Sequence, residues 1–268
     1  MQTIVTEKNY KKLVLQVSLN GLSFAVIDLL SKKVEQLNTI TFSNLNKTAK
    51  VEDLFEKVFE DYPVLTKNYD AIEVIHSNNL STFVPDALFD EEYLGSYLQY
   101  NTKVFETDFF TFDSLIQFQM HCVYIPYVNM NNYFIDKFGS FDYKHASGIL
   151  VSKILNLSKN NEDKKMAVHV ADTHFEIIIY QNQKLLFYNT FEYKTAEDFL
   201  YYILFTAEQL QLNPENFILE FLGSISEYDP TYLLTFEYVR NVSFLEVNSQ
   251  NLNITVPELR QHFILLNS

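Results

Sequence analysis

Three stretches of the 268-residue chain carry residue types that could do chemistry. Ser18-Leu19-Asn20-Gly21-Leu22-Ser23 combines hydroxyls, an amide and a glycine; His169 to His174 encloses Asp172; and Gly223-Ser224 follows an apolar run. A glycine lets backbone N–H groups approach an anion that a Cβ would hold away. His169 and His174 could approach Asp172, but a metal site would want a third well-placed ligand, so a backbone carbonyl is the expected partner of each strand histidine. No metal site is expected. Cys122, the single cysteine, lies in an apolar run and is expected to be unreactive. The chain has no G-x-x-x-x-G-K-S/T phosphate loop, G-x-S-x-G elbow, H-E-x-x-H helix or paired C-x-x-C.

A repeated order of elements positions these stretches. Leu13 to Phe42 reads as three short strands: Leu13, Leu15, Val17 and Leu19 alternate with Val14, Gln16 and Ser18, and Asn20-Gly21 supplies a two-residue hairpin turn. Met166 to Phe191 repeats the order, with turns at Asp172-Thr173 and Gln181-Asn182-Gln183. The match continues past the strands. Glu52-Asp53-Leu54-Phe55 and Glu197-Asp198-Phe199-Leu200 each open a helix, and Ile72 to Ser77 answers Leu219 to Ser224. Matching positions stay about 150 residues apart, which leaves room only for small insertions. The expected fold is α/β, with two similar lobes, each a three-strand meander followed by alternating helices and strands. The lobes are placed at 1–145 and 146–268, the second opening with a crossover helix at 146–157 and a polar linker at 158–165.

Individual segments refine this outline. A helix from about Thr48 has Val51, Leu54, Phe55, Val58 and Phe59 on one face and ends at Pro63; Asp90 reads as an N-cap with Glu91 and Glu92 behind it. Asn101 to Met120 has no sustained period. It is either a packed hairpin and short helix or a partner-binding flap anchored by Phe105, Phe109 and Phe110. Phe138 to His145 is a further partner-surface candidate, leading into a helix whose stripe is Ile149, Leu150, Lys153, Ile154 and Leu157. Phe199 to Phe205 is apolar on every side and predicts a helix buried on every side, against the first lobe or a second subunit of a homodimer. Pro257 begins a closing helix that runs to Leu266.

Composition narrows the partners. A net charge of −14 and two arginines give no Lys/Arg surplus for a phosphate backbone, so neither nucleic acid nor an anionic membrane surface is expected as a ligand. The excess is spread over the chain, with 7 basic and 15 acidic residues from Lys159 onward. No run approaches the roughly 18 apolar residues of a membrane span, and Met1 to Lys12 is polar. One cysteine suits a reducing compartment, and the cytoplasm is expected.

Duplicated lobes of this order resemble the actin-like ATPase superfamily, which includes actin, sugar kinases and the heat-shock chaperone ATPase domain. More closely, Val123-Tyr124-Ile125-Pro126, Phe138-Gly139-Ser140-Phe141 and Lys144-His145 resemble a bacterial family of unknown function assigned to that fold. The resemblance implies that the two meander turns face each other across a cleft and hold phosphates and a metal. In the first turn Asn20 or Ser18 stands where a carboxylate is expected, beside Gly21 and Ser23; the second keeps Asp172 but has Thr173 and His174 in place of glycines. Gly223-Ser224 matches the loop against which an adenine would rest. The reading is a non-catalytic interaction or assembly module without a cofactor. The alternative is an ATPase or small-molecule kinase that uses ATP and Mg, with Asp172 as its acid and Asn20, Gly21, Ser23, His174, Gly223 and Ser224 around the nucleotide.

Overall fold

A computed structural model describes residues 8–42, 51–171, 174–249 and 252–268. β1 (Lys11–Ser18), β2 (Gly21–Asp28) and β3 (Val34–Thr41) form an antiparallel meander, and β4 (Ala71–His76) and β8 (Asp142–His145) extend it in parallel to the order β3-β2-β1-β4-β8. The second sheet has the same plan. β9 (Lys165–Val170), β10 (His174–Gln181) and β11 (Lys184–Glu192) form its meander, and β12 (Ile218–Gly223) and β13 (Asn241–Phe244) complete the order β11-β10-β9-β12-β13. The fold is therefore α/β with two lobes built on one duplicated plan.

Both faces of each sheet are covered, which explains strands that are apolar on both sides. In β1, Leu13, Leu15 and Val17 face one core while Val14 faces another. The outer face of the first sheet packs on α1 (Val51–Asp61) and α3 (Val128–Phe138) through Phe55, Phe59 and Phe134. The outer face of the second packs on α5 (Ala196–Gln209) and α6 (Pro230–Tyr238), where Phe199 meets Phe175 and Tyr232 stacks on Phe244. Between the sheets run α4 (Ala146–Leu157), α7 (Val256–Gln261) and α8 (Phe263–Leu266). Each closing helix reaches across: α4 follows β8 yet touches β10 and β11, and α8 follows β13 yet touches β1 and β2.

This layering corrects two expectations about helices. The all-round apolar α5 is buried along Phe199, Leu200, Ile203, Thr206 and Ala207, but Tyr201 is 59% and Phe205 44% exposed. The helix enclosed from both sides is α4, which buries Ala146 to Val151 without a break, together with Ile154 and Leu155, and exposes only Asn156 and Leu157 at its C-terminus. Its predicted stripe is thus too narrow, because a helix between two sheets has two inner faces.

The insertions are not all small. Residues 224–240 connect β12 to β13, whereas 77–141 connect β4 to β8 and hold a third sheet, order β5-β7-β6, with α2 (Leu94–Leu98) packed on it. Its strands are β5 (Ser81–Pro85), β6 (Thr111–Leu115) and β7 (Met120–Tyr124), antiparallel throughout. Asn101 to Met120 thereby contributes a packed strand and a short 3-10 turn. Asp90 accepts a hydrogen bond from the Glu92 N–H at 3.0 Å, as an N-cap should. The closing helix begins at Val256, one residue before Pro257, behind a Thr255–Glu258 capping box, and breaks at His262. The expected helix start at Thr48 lies outside the described residues.

Candidate functional site

A cleft of about 450 Å³ opens where the ends of both meanders converge. The β1–β2 turn, Ser77 to Asn79 after β4 and Tyr127 line it from the first half; Val170, Ala171, His174 and Ser224 line it from the second. The two sides match in register. The Ser77 N–H donates to the Val17 carbonyl at 2.9 Å, and the Ser224 N–H to the Val170 carbonyl at 2.7 Å. Of the predicted nucleotide-side residues, Asn20, Gly21, Ser23, His174 and Ser224 share this cleft, and Gly223 lines an adjoining pocket with Ser224, Arg260 and Gln261. Asp172 lies outside the described residues.

The glycines have reasons of their own. Ser18 pairs with Gly21, so the hairpin turn is Leu19-Asn20, one residue earlier than expected, and Gly21 already belongs to β2. A Cβ on Gly21 would stand 2.4 Å from the Ile40 carbonyl oxygen of β3. Gly223 has φ +90°, and a Cβ there would stand 2.2 Å from the Val170 carbonyl oxygen. Both glycines thus allow strands to approach. Ser23 Oγ is 3.0 Å from Thr39 Oγ1 on the neighbouring strand, and Ser18 Oγ accepts the Asn20 N–H at 3.2 Å.

The histidines corrected the expected partner. His169 Nδ1 lies 2.7 Å from Glu176 Oε2, a buried carboxylate where a backbone carbonyl was expected, and His174 Nε2 lies 3.6 Å from Glu176 Oε1, so the two imidazoles flank one carboxylate. Burial alone would raise the Glu176 pKa, but the two imidazoles outweigh it and hold the carboxylate well below its usual range. Sequence reasoning passed over Glu176, though a lone acid inside His174-Phe175-Glu176-Ile177-Ile178-Ile179 is the kind of signal that marks a paired buried charge.

Asn78 and Tyr127 of the cleft lining belong to a hydrogen-bonded network that also settles the place of His145. This residue has no exposed surface. Its Nδ1 accepts the Ser147 N–H at 3.2 Å and caps α4, which leaves Nε2 to donate to Asn78 Oδ1 at 3.1 Å. Burial lowers its pKa to about 3 and that of His76, which accepts the Tyr127 N–H, to about 4. Asn78 also donates to the Ile125 carbonyl, and Ser147 Oγ lies 2.6 Å from the Tyr188 hydroxyl of β11. The network therefore ties β4, α4 and the second sheet together. Asp113 of the inserted sheet accepts from the His145 N–H at 2.8 Å and the Tyr124 hydroxyl at 3.1 Å; burial nonetheless pushes its carboxyl up to about 6. Cys122 is fully buried beside Gly148, and burial raises its thiol.

Of the other partner-surface candidates, Phe138 is half-buried against Phe134 and Phe59, and Phe110 half-buried on Gly95, while Phe105 and Phe109 are exposed. Among the described residues no group of three or more His, Cys, Asp or Glu could hold a metal, and no helix is long and apolar enough to cross a membrane.

Residues 2–242 match the family model described as "Protein of unknown function (DUF3822)". The chain belongs to the DUF3822 family. A Bacteroides thetaiotaomicron protein with an actin-like ATPase fold and unknown function superposes with a TM-score of 0.82 over 100% of both chains at 19% identity. A PilM–PilN type IV pilus biogenesis complex matches with a TM-score of 0.61 at 13% identity, covering 95% of this chain and 96% of the other. At these identities the likeness establishes the fold of this DUF3822 member, two actin-like lobes around a cleft. Among curated proteins nothing matches the chain.

Proposed function

We propose that this protein is a non-catalytic actin-like module for protein interaction or assembly in the cytoplasm, with a cleft that has lost its phosphate chemistry. The lining of the cleft carries this reading. Its described residues include no lysine or arginine, and their one carboxylate, Glu192, accepts the Asn79 side-chain amide at 3.3 Å. A triphosphate needs cationic or metal compensation on entering such a space. The space beside both glycines is taken by neighbouring strand backbone, which supports the same conclusion. That a PilM–PilN complex shares the fold is compatible with assembly work.

The rival is a Mg-nucleotide-dependent ATPase or small-molecule kinase, with Asp172 orienting the metal and Gly21, Ser23 and Gly223 near the nucleotide. One observation favours it: both meander ends face a single cleft of about 450 Å³. Calorimetric titration with ATP, with and without magnesium, separates the two. The module reading expects no saturable binding at millimolar nucleotide. Saturable binding and turnover, both lost in Asp172→Ala, would establish the rival instead.

A further inference from the structure

We propose that the groove between α2 and the segment 104–110 is the docking site for a basic peptide segment of a partner protein, one that carries aromatic or aliphatic anchors. The groove, about 540 Å³, belongs to the inserted sheet and is separate from the cleft. Tyr93, Phe105 and Phe109 line it with 56%, 55% and 53% of their surfaces exposed. Large aromatics at this exposure in the lining of one groove are what anchor pockets at interfaces are made of.

The floor is built. Phe110, Leu94 and Val104 pack on the small core of Val84, Leu98 and Val123. A Cβ on Gly95 would lie 3.1 Å from Phe110 Cζ, so the glycine lets the ring close on α2. The Phe105 N–H donates to Asp108 Oδ2 at 2.8 Å, which fixes the loop that presents the aromatics.

Charge selects the occupant. The lining supplies Glu91, Glu92, Glu106 and Asp108 and no basic side chain. Lys103 Nζ stands 5.0 Å over the Phe105 ring, so one ring face already holds a cation in the way a partner's Lys or Arg would be held. A second copy of this chain, at net −14, would set like charges against this rim. A short basic amphipathic segment satisfies both the apolar floor and the acidic rim.

The probes are three fluorescein-labelled peptides of equal length: one mixing Arg with Leu and Trp, one with Glu for Arg, and one with Gly for Leu and Trp. Anisotropy on the full chain should give saturable binding of the first, with the others at least ~10-fold weaker. Phe105→Ser/Phe109→Ser and Glu91→Lys/Glu106→Lys should each weaken it by a similar ~10-fold, while Glu197→Gln/Glu237→Gln on α5 and α6 should leave it unchanged. Circular dichroism checks that each variant is folded. No binding of the first peptide, no effect of the groove variants, or an equal effect of the α5/α6 variant would overturn the proposal. The inference rests on the interaction-module reading, but the two fail separately. Nucleotide turnover with groove-dependent peptide binding intact would overturn only that reading; a partner cross-linked elsewhere, indifferent to the groove variants, would overturn only the groove.

Discussion

In the first sheet Glu73 of β4 meets Lys12 of β1 at 2.6 Å and Lys144 of β8 at 3.1 Å; in the second, Glu220 of β12 meets Lys165 of β9 at 2.9 Å and the Tyr180 hydroxyl at 2.6 Å. The register is the same in both. Lys12 pairs with Ala71, two residues before Glu73, and Lys165 with Ile218, two before Glu220. All four groups are largely buried, so the duplication preserved an ion pair where an unpaired charge would be costly. What diverged is the third partner. Glu73 has a second cation, placed for charge attraction without a hydrogen bond to Oε1, and Glu220 has a neutral hydroxyl. Burial alone would raise Glu73, but Lys12 and Lys144 bring it below its ordinary value.

The sharpest break of this comparison is to remove each lysine. Lys165→Met strands Glu220 with a hydroxyl alone and should cost about 3–5 kcal/mol, whereas Lys12→Met should cost clearly less because Lys144 remains. Urea unfolding midpoints measure both, and equal losses would mean that the third partners are immaterial.

The next largest effect probes the cleft edges, where Gly223 occupies the place of His76 one residue before the matched serines. Gly223→Ala must hold a positive φ and should cost about 1–3 kcal/mol from the backbone alone, with the Val170 carbonyl adding to it. A thermal midpoint unchanged from wild type would refute that account.

Acid should act on the first half through His76 and His145. Their folded pKa values lie near 4 and 3, below the ordinary 6.5, so the unfolded chain takes up protons that the folded one refuses. Each should lower stability by about 1.4 kcal/mol per pH unit as pH falls from 6.5 toward 4. Asp113, raised to about 6, opposes this over pH 6 to 4. Glu176, held low, contributes stability above the ordinary carboxylate pKa that is lost only as pH falls below it. His76→Gln should therefore flatten the slope between pH 6.5 and 4.5 by one histidine's share, and parallel curves for the two proteins would exclude the assignment.

The smallest effect is expected on the outer surface. Phe205→Ser on α5 should change stability by less than about 0.5 kcal/mol, while Leu150→Ala on α4 should cost about 2–5 kcal/mol. A large loss from Phe205→Ser would mean that α5 is covered in solution.

Much of the molecule follows from signals contained in short windows of sequence. Apolar alternation and turn residues predicted both meanders, and Asp90, Pro257 and the stripe of Val58 and Phe59 marked helices, because backbone preference and capping act over a few residues. The matching of Ile72 to Ser77 with Leu219 to Ser224 was legible too, down to the equivalent Glu73 and Glu220. Tertiary structure decided what depends on distant neighbours. Gly21 is required by Ile40 across β2 and β3 rather than by the turn; His169 takes Glu176 because two strands align; and His145 is buried under Asn78 from another loop. Likewise α4 is enclosed and α5 half-exposed, since an apolar helix records only that it can be buried, while the number of sheets around it is set by the packing of the whole chain.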